Sequence, residues 1–427
     1  GTFSFAFSHG NNLCLGDATA GGCDNSLDNT AINTFAGFSS TGALALTATG
    51  FIDAENVSAV NLVDLTLTAG APNNDRDNFA GGDGFDFAIQ LLGTLTLTSN
   101  GAIGAASADG DGFTVDVGSL VVTSTGNNNA TITADDGTPT NLKIGLAGIN
   151  VGTGTANLTA SGAIDNTLGG TITGNSILLT AIGGSIGTST DRVLINYATG
   201  NAISFTTSAA AGDIYVDETS GAIQTANLTV STTAGSAQTV QIRNTSGVIT
   251  VNGSVSFGND NVTLATTNGT SSINFSGNSN TLSTTGSITL DAVGNIVAQQ
   301  AANGVAEIDA ATINLYADDT VGVGGGNALE ITNATTIFNA DTTTSDGAVV
   351  VTSIGDVNVG LIDAGVGTVT LTSSGNITDA GLDAVEDIRG TTVTLSAGTN
   401  IGATGQNGSI DTAVTNLTAT SGTATSS

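Results

Sequence analysis

Residues 367–378 read GTVTLTSSGNIT. Val369 and Leu371 alternate with threonines, Gly375 follows Leu371 by four positions, and Ile377 follows it by six. The same spacing, L-x-x-x-G-x-I, recurs at Leu46/Gly50/Ile52, Leu97/Gly101/Ile103, Leu158/Gly162/Ile164 and Leu290/Gly294/Ile296. Alternation of period two places Val369 and Leu371 on one face of a strand and the threonines on the other. Glycine at the corner permits either a positive φ or a close backbone approach. Ile377 then re-enters the core on the next strand. One such coil buries too little apolar surface to stand alone. Stacked coils build a continuous core, with hydrogen bonds between coils ~4.8 Å apart.

Related phrases run along the chain: LALTATG at 44–50, TLTLTSNG at 94–101, ILLTAIGG at 177–184, SITLDAVG at 287–294 and TVTLSAG at 392–398. Where the repeat is cleanest, neighbours lie 20–26 residues apart, an interval that marks a solenoid. No stretch of ten residues or more carries a helical period with caps, and Thr, Val and Ile suit strands. The expected fold is an all-β parallel β-helix. At ~23 residues per coil it makes about 18 coils. Residues 1–40 form an N-terminal capping or junction segment, and 41–427 a continuous solenoid. Loop excursions are expected near 71–88, 107–116, 133–141 and 378–390, two of which hold the only prolines, Pro72 and Pro139.

Composition narrows the class. The 427 residues include 60 Gly, 2 Pro, no Met and no Trp, with 39% hydrophobic and 10% charged. The charged share is far below the usual quarter, and the aliphatic content separates the chain from disordered sequences. With 36 acidic and 5 basic residues the formal net charge is −31. Phosphate binding needs clustered Lys and Arg, so nucleic acid is not an expected partner. Diffuse negative charge aids solubility and attracts divalent cations. No apolar run approaches the ~18 residues that span a bilayer. The chain begins at Gly1 and contains no Met, which suggests a processed protein or a segment of a longer one.

Two stretches share a longer grammar, SIGTSTDRVLINYATGNAISFTTSAAAGDIYVDETSGAI at 185–223 and NIGATGQNGSIDTAVTNLTATSGT at 400–423. Together with LTSSGNIT and LTAIGGSIGT, these phrases resemble the repeats of filamentous-haemagglutinin-like bacterial exoproteins. The resemblance covers roughly residues 40–427. It implies a right-handed parallel β-helix at the bacterial cell surface, acting as an adhesin, a matrix fibre or a stalk. Family members begin with a secretion domain bearing Asn-Pro-Asn motifs, and this chain has no Asn-Pro pair. Two-partner export is therefore not supported by these residues.

Candidate sites are few. Cys14 and Cys23, the only cysteines, flank a Gly-rich loop. A local disulfide is the expectation, implying an oxidising compartment, with two free thiols as the alternative. Phe3, Phe5 and Phe7 alternate on one strand face. They either cover the end of the core or form a subunit junction by β-augmentation. GGDGFDFA at 81–88, preceded by NNDRDN, resembles one unit of a calcium-binding nonapeptide. Asp75, Asp77, Asp83 and Asp86 could then ligate Ca²⁺, and so could Asp109 and Asp111 in DGDG, with Asp116 close by. The competing reading for each is turn chemistry. The group Asp379, Asp383, Glu386, Asp387 and Arg389 reads as a solvated insertion. The repeat core is assigned to Leu46, Ile52, Leu97, Ile103, Leu158, Ile164, Leu290, Ile296, Leu371 and Ile377.

Parallel β-helices include polysaccharide lyases and hydrolases, which need clustered cations or paired carboxylates. Here Lys143, Arg76, Arg192, Arg243 and Arg389 are scattered, and His9 lies outside the repeats. No catalytic residues are assigned, and the chain is read as no enzyme. The expected function is an extracellular structural β-solenoid, forming a surface fibre, filament or matrix scaffold by head-to-tail stacking of a homopolymer or within a longer chain. The alternative is an adhesin stalk that binds a glycan or cell-surface receptor through its loops, and a polysaccharide-active enzyme is the remote one. No cofactor is expected beyond candidate calcium.

Overall fold

The computed structural model describes residues 3–7, 13–16, 25–28, 30–32, 43–49, 52–55, 57–58, 63–69, 79–80, 89–104, 113–135, 138–233, 235–277, 279–324, 326–332, 334, 336–381, 385–403 and 408–422. The chain is an all-β parallel solenoid of about 14 turns. It divides into two compact units, Gly1–Asp217 with Ser231–Thr233, and Glu218–Val230 with Ala234–Ser427.

The turn count falls below the expected eighteen or so because many turns carry inserted residues. In the first unit Phe3 pairs with Leu44, Leu44 with Leu65, Leu65 with Leu95 and Leu95 with Leu120, giving steps of 41, 21, 30 and 25 residues. In the second unit Val262 pairs with Ile288, Ile288 with Ile313 and Ile313 with Phe338, giving steps of 26, 25 and 25. A loop inserted between coils lengthens a step without moving the strands it joins.

The strand Thr368–Ser373 shows how a coil is built. Val369, Leu371 and Ser373 are buried, Thr370 and Thr372 are half-buried, and Thr368 is exposed. Val369 and Leu371 sit in register above Val349 and Val351 and below Val393 and Leu395. Comparable columns run through Leu46–Leu67–Leu97–Val122 in the first unit and Leu264–Leu290–Leu315 in the second. Isoleucines after the corner form their own column, Ile249–Ile273–Ile296, continued by Val321 and Val349. Leu46, Ile52, Leu97, Ile103, Leu158, Ile164, Leu290, Ile296, Leu371 and Ile377 are each 0–1% exposed.

The corner glycine serves close approach, not a left-handed backbone. Gly162, Gly294 and Gly375 are absent from the positive-φ residues. A Cβ on Gly375 would lie 2.8 Å from Asp356 N and 2.9 Å from Gly355 C on the coil beneath. Coils ~4.8 Å apart leave no room for a methyl at that point.

Residues 3–7 form a strand paired with Ala43–Ala48, and Leu13–Gly16 pairs with both Asn25–Leu27 and Ile52–Glu55. The expected excursion near 107–116 ends in the strand Phe113–Ser124, and the one near 378–390 ends in the strand Ile388–Ala397.

Candidate functional site

The outward faces carry in-register polar ladders. In the first unit Thr133, Thr159, Thr180 and Thr206 stack on successive coils. In the second, Thr370, Thr394 and Thr418 stack beside Thr372, Ser396 and Thr420. Asn339 Nδ2 donates to Asn314 Oδ1 at 2.8 Å, and Asn314 Nδ2 donates to Thr289 Oγ1 at 3.2 Å. Such rungs follow directly from the period of the repeat, because one inward/outward parity is kept from coil to coil.

Inward-pointing hydroxyls tie the corners. Ser373 Oγ donates within reach of Gly355 O at 2.7 Å and Asn376 O at 3.1 Å, and accepts the Gly375 N–H at 3.1 Å. Ser99 does the same for Gly101, accepting its N–H at 3.0 Å and donating to its carbonyl at 2.9 Å. Thr207, Thr266 and Thr342 donate to the carbonyls of Gly212, Ser271 and Gly347 at 2.7, 2.7 and 2.9 Å. The sequence reading missed these residues. Their signal was a Ser or Thr where the strand parity demands an inward side chain.

Each unit also buries charge. In the first, the Arg192 guanidinium pairs with the Asp217 carboxylate, donates to Val216 O at 3.3 Å and lies 5.7 Å from the Tyr215 ring centroid. Asn166 Nδ2 donates to Arg192 O at 2.9 Å, while Asn166 Oδ1 is buried with no hydrogen-bond partner.

In the second unit Glu307 and Glu330 stack on adjacent coils, 6% and 2% exposed. Burial and the neighbouring Glu330 charge push the Glu307 carboxyl up to about 7, although it accepts the Glu330 N–H at 2.6 Å. Asp291, on the exposed side of its strand, is raised too, by partial desolvation and then by the Asp318 charge.

Further along, Asp379 and Asp387 are buried and hydrogen-bonded to each other. Burial comes first, with Asp379 and Asp411 adding negative charge, in raising Asp387 to about 6. Asp387 Oδ2 accepts the Asp411 N–H at 2.8 Å, and Asp379 Oδ1 accepts the Gly381 N–H at 2.6 Å. This corrects the reading of a solvated insertion: the two carboxyls serve backbone donors. Only the rim conforms to that reading, where Arg389 pairs with Glu386 and lies 3.4 Å from Asp363. Asp383 lies outside the described residues. An open groove of about 540 Å³ beside this cluster is lined by Ile337, Asn339, Leu361, Val385, Glu386 and Asp387 among others.

The proposed calcium ligands Asp75, Asp77, Asp83, Asp86, Asp109 and Asp111 lie outside the described residues, as do His9 and Cys23. Cys14 is buried and disulfide-bonded. Phe3, Phe5 and Phe7 lie in the first strand. Among the described residues no group of three or more His, Cys, Asp or Glu is placed to hold a metal ion. Among them, too, no helix is long and apolar enough to cross a membrane. No family model, curated protein or solved structure matches the chain.

Proposed function

We propose that the chain is a structural β-solenoid of an extracellular or bacterial cell-surface fibre or matrix, extended by stacking coil upon coil. The carrying observation is the register: core columns and polar ladders repeat through each unit. The strand Thr412–Ser421 continues this pattern on one edge, with Leu417 above Val393. Leu417 is 50% exposed, whereas Val393 is 0% exposed. Among the described residues nothing pairs with its other edge, which can take a further coil, either of the same chain or of a second copy. The disulfide at Cys14 supports an oxidising compartment. The Asp379–Asp387 carboxyls are hydrogen-bonded to each other, too close to flank a glycosidic bond at the ~5 Å or more that hydrolases use. That pair therefore lends no support to a hydrolase reading.

Sedimentation velocity over a rising concentration series tests the reading. The expected result is elongated oligomers that Leu417→Lys disperses. A monomer at every concentration would overturn end-on stacking.

A second reading, an adhesin, is favoured by one feature of the first unit. Val63, Leu92, Leu146 and Leu168 are 54%, 82%, 77% and 41% exposed. Gly93 lies over the Val63 backbone carbonyl and Gly118 over that of Leu92, so Val63 and Leu92 belong to successive levels of one corner. Exposed apolar side chains on neighbouring coils can supply an interaction surface. Binding of the purified protein to host-cell proteins or a glycan array, abolished by Leu92→Asp, would favour this reading.

A further inference from the structure

In the second unit a seven-residue strap, residues 299–305, crosses between the strands Ile296–Ala298 and Ile308–Asp309. All seven of its residues are exposed. Gln299 N–H donates to Phe275 O at 2.8 Å, and Ala302 N–H donates to Gly326 O at 2.7 Å. Its turn is gripped by one buried side chain: Glu330 Oε2 accepts the Asn303 N–H at 2.6 Å, and Glu330 Oε1 accepts the Gly304 N–H at 2.8 Å. Gly304 has φ +80°, which fixes the turn as one that glycine favours.

Beneath that grip lies a second carboxyl. Glu307 accepts the Glu330 N–H, and its own N–H donates to Glu330 O at 2.8 Å. The two residues thus stack on adjacent coils. Glu330 is the charged group facing Glu307, and Asp309 lies two positions along the same segment. Leu282–Ser283, the strand on the other side, and the strap itself bring no titratable group.

We propose that Glu307 and Glu330 form a proton-operated latch for the strap. With one proton on the pair, the Glu330 carboxylate can stay buried and hold Asn303 and Gly304. Without it, two negative charges face each other out of water, and the strain is relieved when Glu330 turns outward and releases the strap. Two like-charged carboxyls sharing a buried site hold a proton to unusually high pH, and the elevated Glu307 value of about 7 agrees.

The sign follows from linkage. The closed state binds the proton more tightly than the open one, so opening grows as pH rises from 4.5 to about 7. If opening restores Glu307 fully to its ordinary value, the open-to-closed ratio rises about thirty-fold between about pH 5.5 and about pH 8.5.

Amide hydrogen exchange of the full chain, read by mass spectrometry and corrected for the intrinsic pH dependence of exchange, tests the latch. Residues 299–306 are expected to lose protection on going to the higher pH, while the strand Thr312–Ala317 keeps its own. Glu307→Gln retains the acceptor for Glu330 N–H and is expected to hold the strap closed at both values. Glu330→Gln is expected to leave it loose at both. Equal protection of 299–306 at the two pH values in the wild-type chain would overturn the proposal. So would a Glu307→Gln chain that keeps the wild-type pH response.

Discussion

Asp387→Asn tests whether the buried carboxyls of the second unit cost stability at neutral pH. Asp387 is 4% exposed and sits against Asp379 and Asp411, which together with burial raise it from 3.8 to about 6. A raised acid binds its proton more tightly in the folded chain. Its contribution is therefore fully present below pH 3.8 and is lost as pH climbs to about 6. A shift of about two units corresponds to about 3 kcal/mol. Asp387 lines an open groove, so solvent screening reduces this to about 1–2 kcal/mol. Asparagine keeps the acceptor for the Asp411 N–H and gives Asp379 a permanent donor. Urea denaturation of both chains at several pH values provides the assay. Asp387→Asn is expected to gain on the wild type from pH 4 to pH 7 by about that amount and then run parallel. A variant that is less stable throughout, or offset by a constant amount, would refute the reasoning.

Other perturbations probe different links in the argument. Leu290→Ala empties a site stacked between Leu264 and Leu315 and should cost about 2–5 kcal/mol in denaturant unfolding. Gly294→Ala would place a Cβ 2.4 Å from Thr270 O and should cost about 1–3 kcal/mol. Gly324→Ala meets nothing within 4 Å and should change the same midpoint by less than about 0.5 kcal/mol. Arg192→Met removes the guanidinium paired with buried Asp217 and should lower stability by about 3–5 kcal/mol, with Arg192→Met/Asp217→Leu recovering much of the loss.

The fold was legible because strand parity is a local property. Val369, Leu371 and Ile377 could be assigned inward from twelve residues, and their burial follows. The number of turns was less legible, since extra residues between Leu65 and Leu95 lengthen the step to 30 without altering either strand. The corner glycine was left open between two roles. Only the coil beneath, with Asp356 under Gly375, decides for close approach.

The buried carboxyls were the least legible feature. Asp379, Asp387, Glu307 and Glu330 sit in or beside Gly- and Asn-rich stretches that read as turns. Glu307 meets Glu330 only because a coil of 23 residues returns the chain above itself. Hydroxyls such as Ser373 and Thr342 hid for a related reason: an inward Ser or Thr looks like a broken pattern until its corner carbonyl is in place.

Fibre diffraction from aligned, concentrated protein tests the central claim of coil-upon-coil extension most directly. If molecules join end to end through the edge at Thr412–Ser421, strands lie across the long axis of the filament. The account predicts a meridional reflection near ~4.8 Å. A ~4.8 Å reflection on the equator, or a protein that never forms filaments that can be aligned, would contradict it.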